Sequence, residues 1–144
     1  MQEAVPPMIQ PDSASADADQ LRLISIFHYV VGGIHLFGSS FALIHFVLGL
    51  LMILRPGMFG NNPPPPFLGV LFTAIGGAVI VCGWTLGICT IFSGRCIQRR
   101  VRRTFSIIIA AINCALVPFG TALGVFTLIV LMRDSVRRLY GASA

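Results

Sequence analysis

Three apolar stretches, Leu23–Leu54, Phe67–Ser93 and Phe105–Met132, contain no Asp, Glu, Lys or Arg. Each exceeds the roughly 20 helical residues that cross a hydrocarbon layer about 30 Å thick, and none reaches the roughly 40 needed for two passes and a turn. The 144-residue chain has no means of hiding them in a soluble core, because 56% of it is hydrophobic and only 10% is charged. Soluble domains carry about 25% charged residues. Mean hydropathy is +0.87, which also excludes disorder over these stretches. The expectation is an all-α integral membrane protein with three long helical segments in a single domain over residues 21–140. Residues 1–20 are acidic and Pro/Ser/Ala-rich and read as a disordered tail. No basic stretch leads there directly into an apolar core, so a cleaved signal peptide is not expected. Asp17 followed by Gln20 has the spacing of a capping box.

The charges sit between the apolar stretches. All ten basic residues are Arg, and no acid occurs between Gln20 and Asp134. That gap removes paired-carboxylate hydrolysis, carboxylate metal sites and acidic proton relays from the apolar region. A pI near 9.7 suits nucleic acid, but here the arginines flank apolar segments. Arg95, Arg99, Arg100, Arg102 and Arg103 therefore read as a cytoplasmic loop that fixes topology and touches lipid headgroups, with no nucleic-acid partner. The connection Arg55–Pro66, with its glycines and four consecutive prolines, is expected to be non-helical and to end in a stiff extended strut.

A single gapless offset carries the first stretch onto the third. It pairs Phe27 with Phe105, Ile34 with Ile112, Phe41 with Phe119, Val47 with Val125, Leu50 with Leu128 and Arg55 with Arg133. It also lays Gly38-Ser39-Ser40 over the segment around Pro118, so both stretches carry a candidate break in corresponding positions. Half a stretch is about 14–16 residues, or roughly 21–24 Å, too short to span comfortably. Each stretch is then a kinked pass or a re-entrant helix–break–helix. If both re-enter, the Arg95–Arg103 loop and the C-terminal arginines gather on one side, as the positive-inside rule prefers. Burying the backbone of two breaks in so small a chain favours three kinked passes instead, and three passes are the expectation.

Polar residues inside the stretches are the candidate chemistry. With His28 at heptad position a, His35, Ala42 and Gly49 are also a, while Val31, Gly38, His45 and Met52 are d. All three histidines then share one face with Gly38, Ala42 and Gly49. Asn113 is the one amide deep in an apolar stretch and is expected to bond another helix. Intramembrane polar residues raise a functional hypothesis, but no second histidine-bearing helix exists to complete a haem or metal site. Hydrogen-bonded helix packing is the simpler reading, with no metal and no cofactor. Gly76, Gly83 and Gly87 form a small-residue stripe, and Gly120 and Gly124 repeat it; such residues let helices approach closely in lipid. Cys82, Cys89 and Cys96 recur every two turns, about 10.5 Å apart, too far to pair within one helix. No phosphate-binding loop, nucleophile elbow or zinc spacing occurs, and no catalytic set is visible.

The opening Leu23-Ile-Ser-Ile-Phe-His-Tyr-Val-Val-Gly-Gly, the closing Val117-Pro-Phe-Gly-Thr-Ala-Leu-Gly-Val-Phe-Thr-Leu-Ile-Val-Leu and the ending Arg133-Asp-Ser-Val-Arg-Arg-Leu-Tyr140 resemble a group of small bacterial multi-span membrane proteins without an assigned activity. The resemblance implies a bacterial inner-membrane protein and carries no activity across. The expected role is an interaction or accessory component that self-associates or binds other membrane proteins. A small transport, pore or holin-like protein is the first alternative, and a haem- or metal-binding redox protein the second.

Overall fold

A computed structural model describes residues 13–115 and 119–141, with side chains from residues 15 and 120 of those two spans. The described residues are all-helical. In chain order they are α1 (Ser13–Ser40), α2 (Ala42–Leu54), a 3₁₀ turn (Pro56–Phe59), α3 (Pro66–Gln98), α4 (Arg103–Cys114), α5 (Phe119–Leu131) and α6 (Asp134–Gly141). Two stretches, Ser15–Leu54 and Pro66–Gln98, are long and apolar enough to cross a membrane. The chain forms two compact units: a central one, His28–Phe92, and a terminal one made of the chain on either side of it.

In the central unit, α1 and α2 follow one another along α3. The interruption at Gly38-Ser39-Ser40 has a local cause. Ser39 Oγ donates to the His35 carbonyl at 2.6 Å and Ser40 Oγ to the Leu36 carbonyl at 2.7 Å. Such bonds to the preceding turn bend helices. Phe41 N–H then bonds Gly38 O, three residues back, at 3.2 Å. Phe41 keeps right-handed helical dihedrals, φ −62° and ψ −26°, so the chain continues in the same direction. The antiparallel register with α3 runs unbroken past the bend. Gly32 meets Gly87 and Ile91, Gly83 meets Ser39, Gly76 meets Phe46, and Gly49 meets Gly69 and Thr73. The connection is less irregular than its prolines suggested. Pro56 opens the 3₁₀ turn and Pro66 opens α3, positions where a missing N–H has no helical partner to lose.

The terminal unit holds the third apolar stretch, expected as a kinked pass with a re-entrant helix–break–helix as the alternative. Its apolar stretch is two short helices, α4 of 12 residues and α5 of 13, packed antiparallel. Arg103, at the start of α4, donates from Nε and Nη2 to the Leu131 carbonyl at the end of α5, at 2.9 and 2.6 Å. Near the other end, Thr121 Oγ donates to Cys114 O at 2.8 Å. Gly124 lies so close to Ala110 O and Cys114 that no side chain fits there. The break itself, around Pro118, lies outside the described residues. Each helix is about 18–20 Å long, short of a full crossing. The internal repeat therefore does not extend to geometry: one member continues past its break and the other doubles back.

The N-terminal reading also shifts. α1 begins at Ser13, so the last part of the stretch read as tail is helical; residues 1–12 lie outside the described residues. Asp17 and Gln20 do not form a capping box, because both lie inside the helix. They share a face and meet Arg133 instead: Nη1 donates to Gln20 Oε1 at 2.9 Å and stands 3.8 Å from Asp17 Oδ1. Leu21, Ile24, Ile97, Val130, Leu131 and Val136 form the apolar core of this unit, with Ile107, Leu139 and Tyr140 packed against it.

Candidate functional site

Both units bury polar side chains and expose large apolar ones. On α4 the buried stripe is Ser106, Ile109, Ala110 and Asn113, the i, i+3, i+4, i+7 pattern of a packed face. On its outer side Ile108 and Ile112 are 53% and 42% exposed. Ser25, His28, Thr90, Ser93, Ser106, Asn113 and Thr127 are all buried, while Phe37, Ile44, Val81, Ile88, Ile129 and many other large apolar side chains are exposed. Only 11% of the most apolar window of each long helical stretch is buried. The core helix of a soluble protein has the opposite distribution.

The hydroxyls behave differently in the two units. In the central unit Ser39, Ser40, Thr73 and Thr85 all donate to a carbonyl of their own helix one turn back. In the terminal unit Ser25 crosses to Gly94 O at 3.0 Å. Ser93, Ser106 and Thr127 are fully buried there, and their hydroxyls have no hydrogen-bond partner among the described residues. Ser93 precedes the core residue Ile97 by one turn, and Thr127 precedes Leu131 by one turn. Both hydroxyls thus project on the core-facing sides of α3 and α5. An unpaired buried hydroxyl costs about 1–3 kcal/mol, so each of the three is a cost that the packing alone does not explain.

The histidines do not share one environment. His28 is fully buried, His35 is half-buried, and His45 is exposed. His45 stacks on Phe72, with ring centroids 5.9 Å apart and planes 10° from parallel. It lies on the wall of an open apolar groove of about 480 Å³. Gly38, Phe41 and Ala42 line the groove from one side and Leu71, Phe72, Ile75, Gly76 and Val79 from the other. Among the described residues, no group of three His, Cys, Asp or Glu is placed to hold a metal ion. Asn113 is buried on the packed face of α4.

The expected packing glycines separate into two groups. A Cβ at Gly49, Gly76, Gly83, Gly87 or Gly124 would collide with backbone or side chain, whereas at Gly38 it would meet nothing within 4 Å. Gly38 is exposed, Ala42 half-buried and Gly120 buried. The face of α1–α2 turned to α3 carries Gly32, Leu36, Ser39, Phe46 and Gly49, rotated from the heptad face drawn through the histidines. Sequence reasoning used the histidines as the landmark and missed the Gly32–Ser39 seam. Trp84 donates from Nε1 to Ser40 Oγ at 3.3 Å.

Every arginine except Arg55 belongs to the terminal unit. Arg95, Arg99 and Arg102 are exposed, Arg100 and Arg103 half-buried. Tyr140 feels the charges of Arg103 and Arg100, yet burial dominates and its hydroxyl is pushed up to about 12. Comparison with protein families, with curated proteins and with solved structures returns no match for this chain.

Proposed function

We propose that the protein is a bacterial inner-membrane component of two spanning helical passes and one re-entrant hairpin, acting as a self-associating accessory or structural element. The inverted distribution of polarity is the observation behind this reading. Large apolar side chains facing outward along α1–α3 suit acyl chains, and small and polar residues facing inward suit the close helix packing of a membrane interior. The α4–α5 hairpin bonds a carbonyl at each end, Leu131 O through Arg103 and Cys114 O through Thr121, and backbone that ends within a bilayer needs such partners. With two passes, the Arg95–Arg103 link and the C-terminal arginines take the same, cytoplasmic, side, and Arg55 alone takes the other.

Self-association follows from what the fold leaves open. Gly49, Gly76, Gly83 and Gly87 are occupied within the chain. Gly38, the groove beside it and the exposed imidazole of His45 are not, and in acyl chains an imidazole gains from a partner. Gly38→Leu should convert an oligomer to a monomer in mild detergent, read by light scattering, without lowering the melting temperature. A monomeric wild type would end the self-association reading. Retention in alkali-washed membranes tests the bilayer assignment; release into the wash would end it.

A second reading, passage of a small solute through the terminal unit, has one observation behind it: the unpaired buried hydroxyls of Ser93, Ser106 and Thr127. Solute flux into liposomes holding purified protein tests it, and a tight bilayer counts against it.

A further inference from the structure

The arginines of the terminal unit divide by what their side chains do. Arg103 is committed to the Leu131 carbonyl, and Arg133 to Gln20 and Asp17. Arg99, Arg102, Arg137 and Arg138 are exposed, and none has a side-chain hydrogen bond or ion pair among the described residues. The link that carries the first two is folded through strained backbone. Arg100 has φ +54° and Arg102 φ +51°, the left-handed region that glycine enters freely and a residue with a Cβ enters at a cost. Guanidinium groups stand where the fold alone would select glycine.

Apolar side chains are interleaved with these cations. Val101, between Arg100 and Arg102, is 42% exposed, and Met132, next to Arg133, is 69% exposed. α6 buries Val136 and packs Leu139 and Tyr140 on the core, which leaves Arg137 and Arg138 outward. Tyr140 lies within electrostatic reach of Arg100 and Arg103, so the last turn of α6 stands beside the link. Cations alternating with exposed aliphatic groups match the boundary between headgroups and acyl chains. Single-stranded nucleic acid would call for exposed aromatic rings between the cations, and the link and α6 expose none; a duplex, bound through phosphates alone, gives no role to the exposed aliphatic groups.

We propose that Arg99, Arg102, Arg137 and Arg138, with Val101 and Met132 beside them, form a binding site for the phosphodiester headgroup of an anionic phospholipid. This rests on the bilayer reading and adds to it a saturable, headgroup-selective site. Of the headgroup set expected from sequence it keeps Arg99 and Arg102, leaves out Arg95, Arg100 and Arg103, and adds Arg137 and Arg138 of α6.

The test uses the full chain in neutral detergent, titrated with phosphatidylglycerol and read as melting-temperature shift and as lipid retained in native mass spectrometry. Phosphatidylglycerol should give a saturable upward shift. Phosphatidylcholine, inorganic phosphate and a short DNA duplex should give none. Arg99→Gln with Arg102→Gln, and separately Arg137→Gln with Arg138→Gln, should each weaken phosphatidylglycerol binding about tenfold or more, with the lipid-free melting temperature unchanged. Equal shifts from the two lipids, undiminished binding by both double variants, or equal competition by phosphate or DNA would overturn the site. Those results, with the chain held in alkali-washed membranes, remove this proposal alone. Release of the chain by the wash removes the bilayer reading and the site with it.

Discussion

Gly49 and Gly38 lie on the same helical stretch and make opposite demands. A Cβ on Gly49 would stand 2.6 Å from Thr73 N and 2.8 Å from Gly69 O, and backbone atoms of a packed helix do not move aside. Gly49→Ala should therefore cost about 1–3 kcal/mol, while Gly38→Ala, with open space around it, should be neutral or stabilise by about 0.5–1 kcal/mol. Thermal unfolding in detergent separates the two, and equal effects would contradict the register described. Thr127→Val examines the unpaired hydroxyls through its sign. A hydroxyl that serves an occupant loses about 1 kcal/mol when removed; an idle one gains. We expect the loss, and a gain would remove the second functional reading. Tyr140 sets a pH limit. Its folded-state value is raised from 10.0 to about 12, so its contribution to stability is complete below pH 10 and disappears as pH rises toward 12. Melting temperature followed over that window, with Tyr140→Phe as the flattened control, checks it.

Among the elements, the hairpin of α4 and α5 depends on one side chain from outside its apolar surface. Two charge-assisted bonds from Arg103 close it at Leu131, each contributing about 1.5–3 kcal/mol. Arg103→Gln should loosen the pair by about 2 kcal/mol or more, read as earlier proteolysis of the terminal unit while the central unit, His28–Phe92, stays protected. Uniform loss of protection would contradict two separately packed units. The sequence marks a break near Pro118 and leaves a kinked pass and a re-entrant hairpin both open, because hydropathy measures how much apolar chain is present and not whether it turns back. The bend at Gly38-Ser39-Ser40 and the break near Pro118 look equivalent in one dimension. What separates them is where hydrogen bonds go: Ser39 and Ser40 return to their own helix, whereas Thr121 and Arg103 reach across to another. The long apolar helices and their boundaries near Leu54, Pro66 and Gln98 were legible, because charges and prolines mark them directly. The packed face of α1–α2 was not, because histidines drew the eye to one side of the helix while glycine and serine did the packing.

At the scale of the whole molecule, the hairpin changes the direction of the C-terminus. Three passes would send the Arg133–Arg138 tail to the side opposite the Arg95–Arg103 link. The proposed two passes with a re-entrant hairpin would return it to the same side and would leave Arg55 alone across the bilayer. This gathering of charge is also what the headgroup site requires. Reporter fusions made after Asn61 and after Tyr140 in a bacterial host measure the arrangement directly. The account predicts external activity for the Asn61 fusion and cytoplasmic activity for the Tyr140 fusion. External activity after Tyr140, with the Arg95–Arg103 link still cytoplasmic, would contradict it.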